Sequence, residues 1–359
     1  MIPAIFILLL SCIALSLFEE KMSVEWRVIA FTALGAVMVL TAGLRGVDST
    51  PDSDTYAYMF EFLESYDDKE ISFHWIVTLL RNLGLGVSAL FMVYAVMSIS
   101  LRLRIIWKMS YLPFLTLAVY LSHFYLMHDT MQIRCAVASA LFLFAVYYQT
   151  DRKHIAALCF ILLGSLFHYS AMAGIVILLL NNKPLERWQR KLMYAIIPIG
   201  IGIYVLSDVF AGLVMSIANA LPESFGGEQL AHYLNLKDRG VEAEYASWQW
   251  YLNIITLMNM ALYYICIYFH KPLTSNYRYT PIMLKCMTIG WICLLGLHGF
   301  SDVLATRLSE YFIVVVVFLW GACISLMTPK LWGKILVNGV SFLRLLLSVF
   351  FYTYALLFV

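Results

Sequence analysis

The sequence predicts an all-α polytopic membrane protein with about 10–12 transmembrane helices and two larger outer loops. Hydrophobic residues make up 62% of the 359 residues and charged residues only 13%, against about 45–50% and about 25% in soluble domains. The mean hydropathy is +0.81. Because a water-soluble fold of this size cannot bury so much apolar surface, a soluble enzyme and a disordered chain are excluded. The net charge of +2 also argues against a nucleic-acid binder with a basic face.

Apolar runs of bilayer-spanning length, about 17–25 residues, follow one another along most of the chain. We predict helices at 2–18, 27–44, 87–107, 111–127, 133–149, 191–207, 248–269, 281–299, 308–326 and 335–357. No composition shift or internal repeat separates them. Residues 1–359 are therefore predicted to form a single integral membrane domain.

The segments between these helices divide into a basic set and an acidic set. The basic set has 14 Lys and Arg residues: Arg102, Arg104, Lys108, Arg152, Lys153, Lys183, Arg187, Arg190, Lys191, Lys271, Arg278, Lys285, Lys330 and Lys334. The acidic set has eight acids in 45–72 and six in 208–247, with two bases in each. Because Lys and Arg concentrate in cytoplasmic loops, the acidic segments are predicted to lie outside. The first outer loop is 45–86, with an interfacial helix at 71–86, and the second is 208–247.

The apolar block 155–181 interrupts this alternation. Both of its flanks are basic, yet it is too short for two full crossings. We predict a re-entrant pair of short helices that turns around Phe167-His168-Tyr169-Ser170. Because broken backbone at membrane depth is tolerated only against protein or water, His168 is expected to face an aqueous outer cavity. One long tilted helix is the alternative.

Four cationic or titratable residues fall at the outer ends of predicted segments: Arg45, Arg134, His168 and Arg307. Each arginine alone also fits a side chain that reaches from a helix end to the interface. Together they indicate a site, because ionisable groups at membrane depth are costly unless they are paired or used. A guanidinium binds two phosphate oxygens at once, which suits a pyrophosphate. The sequence has no metalloprotease, serine-hydrolase or nucleotide-binding motif, so neither a metal nor a cofactor is predicted.

Four short motifs at these positions resemble those of the EpsG/Wzy-type polysaccharide polymerases, polytopic enzymes of bacterial O-antigen, capsule and exopolysaccharide assembly. They are Arg45 followed by Asp54-Thr55-Tyr56-Ala57-Tyr58-Met59-Phe60-Glu61-Phe62, then Gln132-Ile133-Arg134, then Phe167-His168-Tyr169-Ser170 after Arg152-Lys153, and Arg307 with Tyr311-Phe312. The resemblance covers about residues 40–181 and resumes at 300–312. Two departures are Asp52, where the family often has Gly, and Cys135, where another polar residue often follows Gln-Ile-Arg.

The resemblance implies a glycosyltransferase at the outer face of the bacterial cytoplasmic (inner) membrane. It would transfer a glycan chain from undecaprenyl pyrophosphate onto another lipid-linked repeat unit, among membrane lipids and without nucleic acid. A chain-length regulator protein fits as a partner. Motif position and topology assign Arg134 and Arg307 to the leaving pyrophosphate and His168 or Asp54 to the proton of the attacking hydroxyl. The remaining motif residues are expected to bind substrate: Arg45, Tyr58, Gln132 and Tyr311.

Two other functions share the hydrophobic chain and the basic outer site. A flippase or transporter of lipid-linked oligosaccharides is disfavoured, since the chain has no internal repeat and its polar residues gather at one face. A ligase that joins finished polymer to an acceptor lipid uses the same donor chemistry.

Overall fold

The computed structural model describes residues 1–66, 69–220 and 254–357, and every regular element within these ranges is helical. In this part of the chain six helices are long and apolar enough to cross a membrane: Val24–Gly43, Val87–Met109, Ile133–Thr150, Thr280–Leu297, Asp302–Leu326 and Lys330–Phe350. The helices Ile196–Val205 and Val209–Ile217, bent by 79°, form a seventh candidate span. The prediction of an all-α, multi-pass membrane protein is confirmed.

The α-helices of the described ranges are, in chain order, α1 Ile2–Phe18, α2 Val24–Gly43, α3 Pro51–Glu61, α4 Ile71–Asn82, α5 Val87–Met109, α6 Pro113–Leu121, α7 Ile133–Thr150, α8 His154–Ser165, α9 Arg187–Tyr194, α10 Ile196–Val205, α11 Ser207–Ala220, α12 Ile254–Tyr268, α13 His270–Asn276, α14 Thr280–Leu297, α15 Asp302–Ile313, α16 Val316–Ala322 and α17 Lys330–Leu357. A π-helix covers Tyr125–Met131, and 3₁₀ segments cover Val47–Ser49, Leu63–Ser65, Tyr169–Leu179 and Cys323–Leu326.

The chain divides into two compact units, of which the first comprises residues 1–143, 166–168 and 320–359. In this unit α1 packs against α6 and α17, and α2 packs against α5. Close approach of α2 and α5 depends on a small residue at Gly43, where an added Cβ would lie 3.0 Å from the Cα of Met92. Small residues let membrane helices approach closely in this way.

A buried polar network crosses the first unit at the π-helix. Asp129 on this helix accepts hydrogen bonds from Ser98 and Tyr120, and Arg102 of α5 donates to the Ser139 hydroxyl at 2.6 Å. Arg102 is fully buried. The sequence analysis counted Arg102 with the basic segments between helices, but the residue lies within α5, inside the predicted helix 87–107, where Ser139 and the Ala136 carbonyl satisfy part of its guanidinium.

The second unit comprises residues 144–165 and 169–319. Here α8 packs along the Tyr169–Leu179 segment, and α14 packs against α10 and α15. An added Cβ at Gly290 would lie 3.1 Å from the Ser309 carbonyl oxygen, so a glycine allows α14 and α15 to touch.

The block 155–181 has the predicted break, because α8 ends at Ser165 and a new helical segment begins at Tyr169.

The second outer loop differs from the prediction at its start. Residues 207–220 form α11, a largely apolar helix, where a polar loop from 208 was expected. The rest of that loop, together with the start of the span at 248–269, falls at 221–253, outside the described residues. The predicted span 111–127 is also divided, into α6 and the π-helix.

Candidate functional site

A buried carboxylate, Glu70, joins two residues of different sequence motifs. Its side chain is 1% exposed, with Oε2 paired to Nη1 of Arg134 and Oε1 lying 2.8 Å from Nδ1 of His168. Arg134 lies in the first turn of α7, and His168 lies in the break between α8 and the Tyr169–Leu179 segment. Glu70, Arg134 and His168 are called the Glu70 cluster below.

The loop containing Glu70 is fixed to the break that contains His168. Glu70 immediately precedes α4, and the Ser72 amide in the first turn of that helix donates to the Leu166 carbonyl at 3.3 Å. Phe167 packs edge-on against Tyr94 of α5, with ring centroids 6.3 Å apart. These contacts bring the two loops together, and they leave the His168 side chain only 8% exposed. The expectation that His168 faces an aqueous cavity is not met, because the imidazole is enclosed beside Glu70.

Arg134 lies among aromatic rings. Its guanidinium carbon is 5.5 Å from the centroid of Phe73 and 5.8 Å from that of Tyr56. The side chain keeps 12% exposure, and its Nε has no hydrogen-bond partner in the structure. Since a guanidinium carries five N–H donors, Arg134 retains donors for an anion beyond those used by Glu70 and the Tyr56 hydroxyl.

Gln132 lies between the π-helix and α7, and it is part of the same predicted motif as Arg134. Its backbone N–H donates to the Met127 carbonyl at 3.0 Å. Its side-chain Oε1 is buried and has no hydrogen-bond partner in the structure. A buried acceptor of this kind is costly unless a ligand or water donates to it, which suits the predicted role of Gln132 in substrate binding.

The charge of Glu70 is set by opposing effects. Burial raises the pKa of its carboxyl, but the Arg134 guanidinium and the hydrogen bond to His168 outweigh burial and hold that pKa well below its ordinary value of 4.5. Opposite charge and hydrogen bonding both favour the ionised form. Glu70 is therefore an anion over the physiological pH range.

A pH dependence of stability follows from this shift. A depressed carboxylate pKa contributes stability that is complete above the unfolded value of 4.5 and is lost as the pH falls toward the folded value. We expect the contribution of Glu70 to be constant from about pH 8 to about pH 5.5 and to decline below about pH 4.5. The measurement is the difference in free energy of unfolding between His168→Gln and His168→Gln/Glu70→Gln, so that the imidazole does not titrate. A difference that shrinks already between pH 7 and pH 5.5 would contradict the assignment.

Arg45 connects the end of α2 to the first outer loop. Its Nη1 donates to the Ala42 carbonyl at 2.6 Å, and its Nε donates to the Ser53 hydroxyl at 3.2 Å. The guanidinium carbon also lies 3.9 Å from the centroid of the Phe91 ring. With 4% exposure, Arg45 orders the beginning of this loop.

The other predicted residues of the first outer loop lie at its surface. Asp54, in the first turn of α3, is exposed and accepts a hydrogen bond from the Thr55 amide. Tyr58 is 54% exposed; its ring centroid lies 4.6 Å from that of Phe62 and 6.1 Å from that of Tyr66. These three rings form an aromatic surface of the type that packs against the faces of sugars.

The predicted residues of the second unit lie on α15. Arg307 is partly buried and acts electrostatically on Glu310. Tyr311 is fully buried, and its hydroxyl lies 3.4 Å from the Ala171 carbonyl oxygen. At the start of α15, Oδ1 of Asp302 lies 2.5 Å from Nδ1 of His298, the residue that follows α14. None of the four motifs contains this pair, and the spacing of four residues is its only signal in the sequence.

In the described part of the chain no three His, Cys, Asp or Glu side chains group as metal ligands would. The groups at hand in the Glu70 cluster are a cation, a carboxylate and an imidazole. They can bind an anion and accept a proton.

Comparison with known proteins gives one finding. A sequence model described as the EpsG family matches residues 28–359. No curated protein and no solved structure matches the chain.

Proposed function

Because the chain belongs to the EpsG family, a family with a polysaccharide polymerase role on lipid-linked substrates in the membrane, we propose that it is a polymerase that uses a polyprenyl-pyrophosphate donor. The reaction transfers a glycan from undecaprenyl pyrophosphate to a hydroxyl of another lipid-linked repeat unit. The bond between the anomeric carbon and the pyrophosphate oxygen breaks, and a glycosidic bond forms. The pyrophosphate leaves with the electron pair, and the hydroxyl proton passes to a base.

The observation that supports this chemistry is the Glu70 cluster. Arg134 binds the pyrophosphate through donors that Glu70 does not use, such as Nε, and stabilises the charge that develops on it. The surrounding rings and the low exposure lower the local dielectric, which strengthens this interaction. Gln132, with its unpaired Oε1, accepts a hydrogen bond from the substrate.

His168 is proposed as the general base. Its Nδ1 contacts the Glu70 carboxylate at 2.8 Å, and a carboxylate at one ring nitrogen holds the imidazole in the tautomer whose other nitrogen accepts a proton. The resulting imidazolium is stabilised by Glu70. Asp54 is the alternative base. It is exposed on α3 and has only the Thr55 amide as a hydrogen-bond donor in the structure.

The aromatic surface of Tyr58, Phe62 and Tyr66 is proposed to hold sugar rings of the growing glycan. Arg45 supports this surface by ordering the loop from which α3 begins. Arg307 is proposed as a further phosphate-binding residue on the basis of its motif. Tyr311 is buried against the Ala171 carbonyl, so its contribution is to support α15 from within the second unit.

The protein is proposed to act in the bacterial cytoplasmic membrane with the two acidic loops outside. This orientation rests on the concentration of Lys and Arg in the remaining segments. The donor is therefore taken from the outer leaflet. A chain-length regulator is the proposed protein partner.

Deletion of the gene tests the proposal directly. We expect the ladder of surface glycan on a gel to disappear while a single repeat unit remains attached to the acceptor lipid. A copy of the gene should restore the ladder. An intact ladder would overturn the proposal, polymer retained on the carrier lipid would identify a ligase, and repeat units held on the cytoplasmic leaflet would identify a flippase.

A further inference from the structure

One face of α17 is polar although it is buried in the first unit. Lys334, Asn338, Ser341, Arg344 and Ser348 recur every three or four residues, and all are less than 9% exposed. Residues with this spacing lie on one side of a helix. Since α17 packs against α1 and α6, a polar seam runs between these helices.

Most members of the seam have partners in the chain. Lys334 pairs with Glu20 at 2.9 Å, and Asn338 donates to the Ser16 hydroxyl at 2.8 Å. The Ser348 hydroxyl donates to the Ser122 carbonyl at 3.2 Å. Ser341 bonds within the helix to the Val337 carbonyl. The seam is thus a polar interface in which side chains of α17 bond to residues at the ends of α1 and α6.

Arg344 is the member of the seam whose charged group has no partner in the structure. The residue is 0% exposed, and none of its three guanidinium nitrogens has a hydrogen-bond partner in the structure. Among the described residues no carboxylate forms a hydrogen bond with it. A buried unpaired charge is strongly destabilising, and at membrane depth charged residues are retained where they are paired or used.

His123 lies close to this guanidinium. The imidazole Nδ1 lies 3.0 Å from the Ser348 hydroxyl, one turn along α17 from Arg344. The ring lies within electrostatic range of the guanidinium and is only partly buried. Arg344 and His123 therefore bring two nitrogen-bearing groups together, one of them cationic.

We propose that Arg344 and His123 form an anion site that takes a phosphate group, either from a membrane lipid headgroup or from free phosphate. The planar guanidinium fork matches two phosphate oxygens, and an N–H of the His123 imidazole can donate to a third. The site shares no residue with the Glu70 cluster. Its occupant supplies the counter-charge that the described residues do not provide.

Position along the helix agrees with a ligand from the outer leaflet. Arg344 lies 14 residues beyond Lys330, the first residue of α17, which corresponds to about 21 Å of helix rise. With Lys330 at the cytoplasmic end, as the basic loops predict, Arg344 falls in the outer half of a hydrocarbon core of about 30 Å.

The test uses the purified full-length chain in delipidated detergent micelles, and it measures the midpoint of thermal unfolding. The probes are inorganic phosphate, pyrophosphate, micelles that contain phosphatidylglycerol, and micelles that contain monoolein, a lipid without phosphate. We expect at least one phosphate-bearing probe to raise the midpoint by about 5 °C at a hundredfold excess over its Kd, and monoolein to have no effect. A rise with phosphate or pyrophosphate identifies a free anion, and a rise with phosphatidylglycerol alone identifies a lipid headgroup.

The variant Arg344→Met is expected to lose this rise, because the methionine fills the space without the charge. Its matched control is Arg104→Met, which removes an arginine from the exposed side of α5 and should keep the rise. If Arg344→Met does not fold, Arg344→Lys takes its place and should show a smaller rise, because it keeps a charge but lacks the fork. No rise with any probe in the wild type, or an equal rise in the Arg344 variant, would overturn the proposal.

Discussion

Replacement of Arg134 by alanine is expected to abolish polymer, with a fall in polymerisation rate of at least about 100-fold, the size of effect seen when one donor to a developing oxyanion is removed. The reason is that Arg134 is the cation of the Glu70 cluster and keeps donors for the leaving pyrophosphate. Arg134→Lys should be intermediate, because lysine supplies a point charge without the fork. The measurement is the ladder of surface glycan in cells that carry the variant as their only copy.

Loss of polymer could also follow from loss of folded protein, since Arg134→Ala leaves the Glu70 carboxylate buried without its main partner. The amount of folded, membrane-inserted Arg134→Ala separates the two effects, because polymer is compared at equal amounts of inserted protein. The double variant Arg134→Ala/Glu70→Gln tests the folding effect alone: it removes the buried charge and should recover folded protein. Arg104→Ala is the matched control for the loss of an arginine and should polymerise normally. A near-normal ladder from correctly inserted Arg134→Ala would contradict the role proposed for this residue.

The sequence could predict the two ends of the Glu70 cluster but not its centre. Arg134 and His168 stood out because each is an isolated polar residue at the end of an apolar run. Glu70 is one of eight acids in 45–72, and nothing in its spacing distinguishes it from the other seven. Its burial results from the Ser72–Leu166 backbone contact, a tertiary event that brings together segments almost 100 residues apart.

The same difference between local sequence pattern and tertiary contact decides which parts of the fold the sequence predicts. Apolar runs predict helices well when a single helix spans the membrane, as in α5, α7 and α14. They do not show where a run is interrupted: the predicted span 111–127 contains all of α6 and the first residues of the π-helix Tyr125–Met131, with no helix-breaking residue between the two. Charge counting also grouped Arg102 with the basic segments between helices, because its partner Ser139 lies 37 residues away and becomes a neighbour only through packing.

Removal of the Glu70 charge is expected to have the largest effect on stability. Glu70→Gln keeps the size of the side chain but leaves Arg134 and His168 without their shared anion. Removing one partner of a buried ion pair costs about 3–5 kcal/mol, and we expect the lower end of that range because Arg134 retains 12% exposure. The measurement is the free energy of unfolding of the purified protein in mixed micelles, titrated with denaturant. Polymer should be lost in parallel, since His168 loses the carboxylate that orients it.

A double-mutant cycle shows whether the loss comes from the ion pair. Glu70→Gln/Arg134→Gln removes both charges, and it should be more stable than Glu70→Gln alone, because no unpaired buried charge remains. Glu64→Gln is the matched control: this carboxylate pairs with Arg81 but is 77% exposed, and exposed pairs contribute little. Equal small losses for Glu70→Gln and Glu64→Gln would mean that the Glu70 carboxylate is not buried between Arg134 and His168. The general-base assignment of His168 would then lose its support, and Asp54 would become the leading candidate.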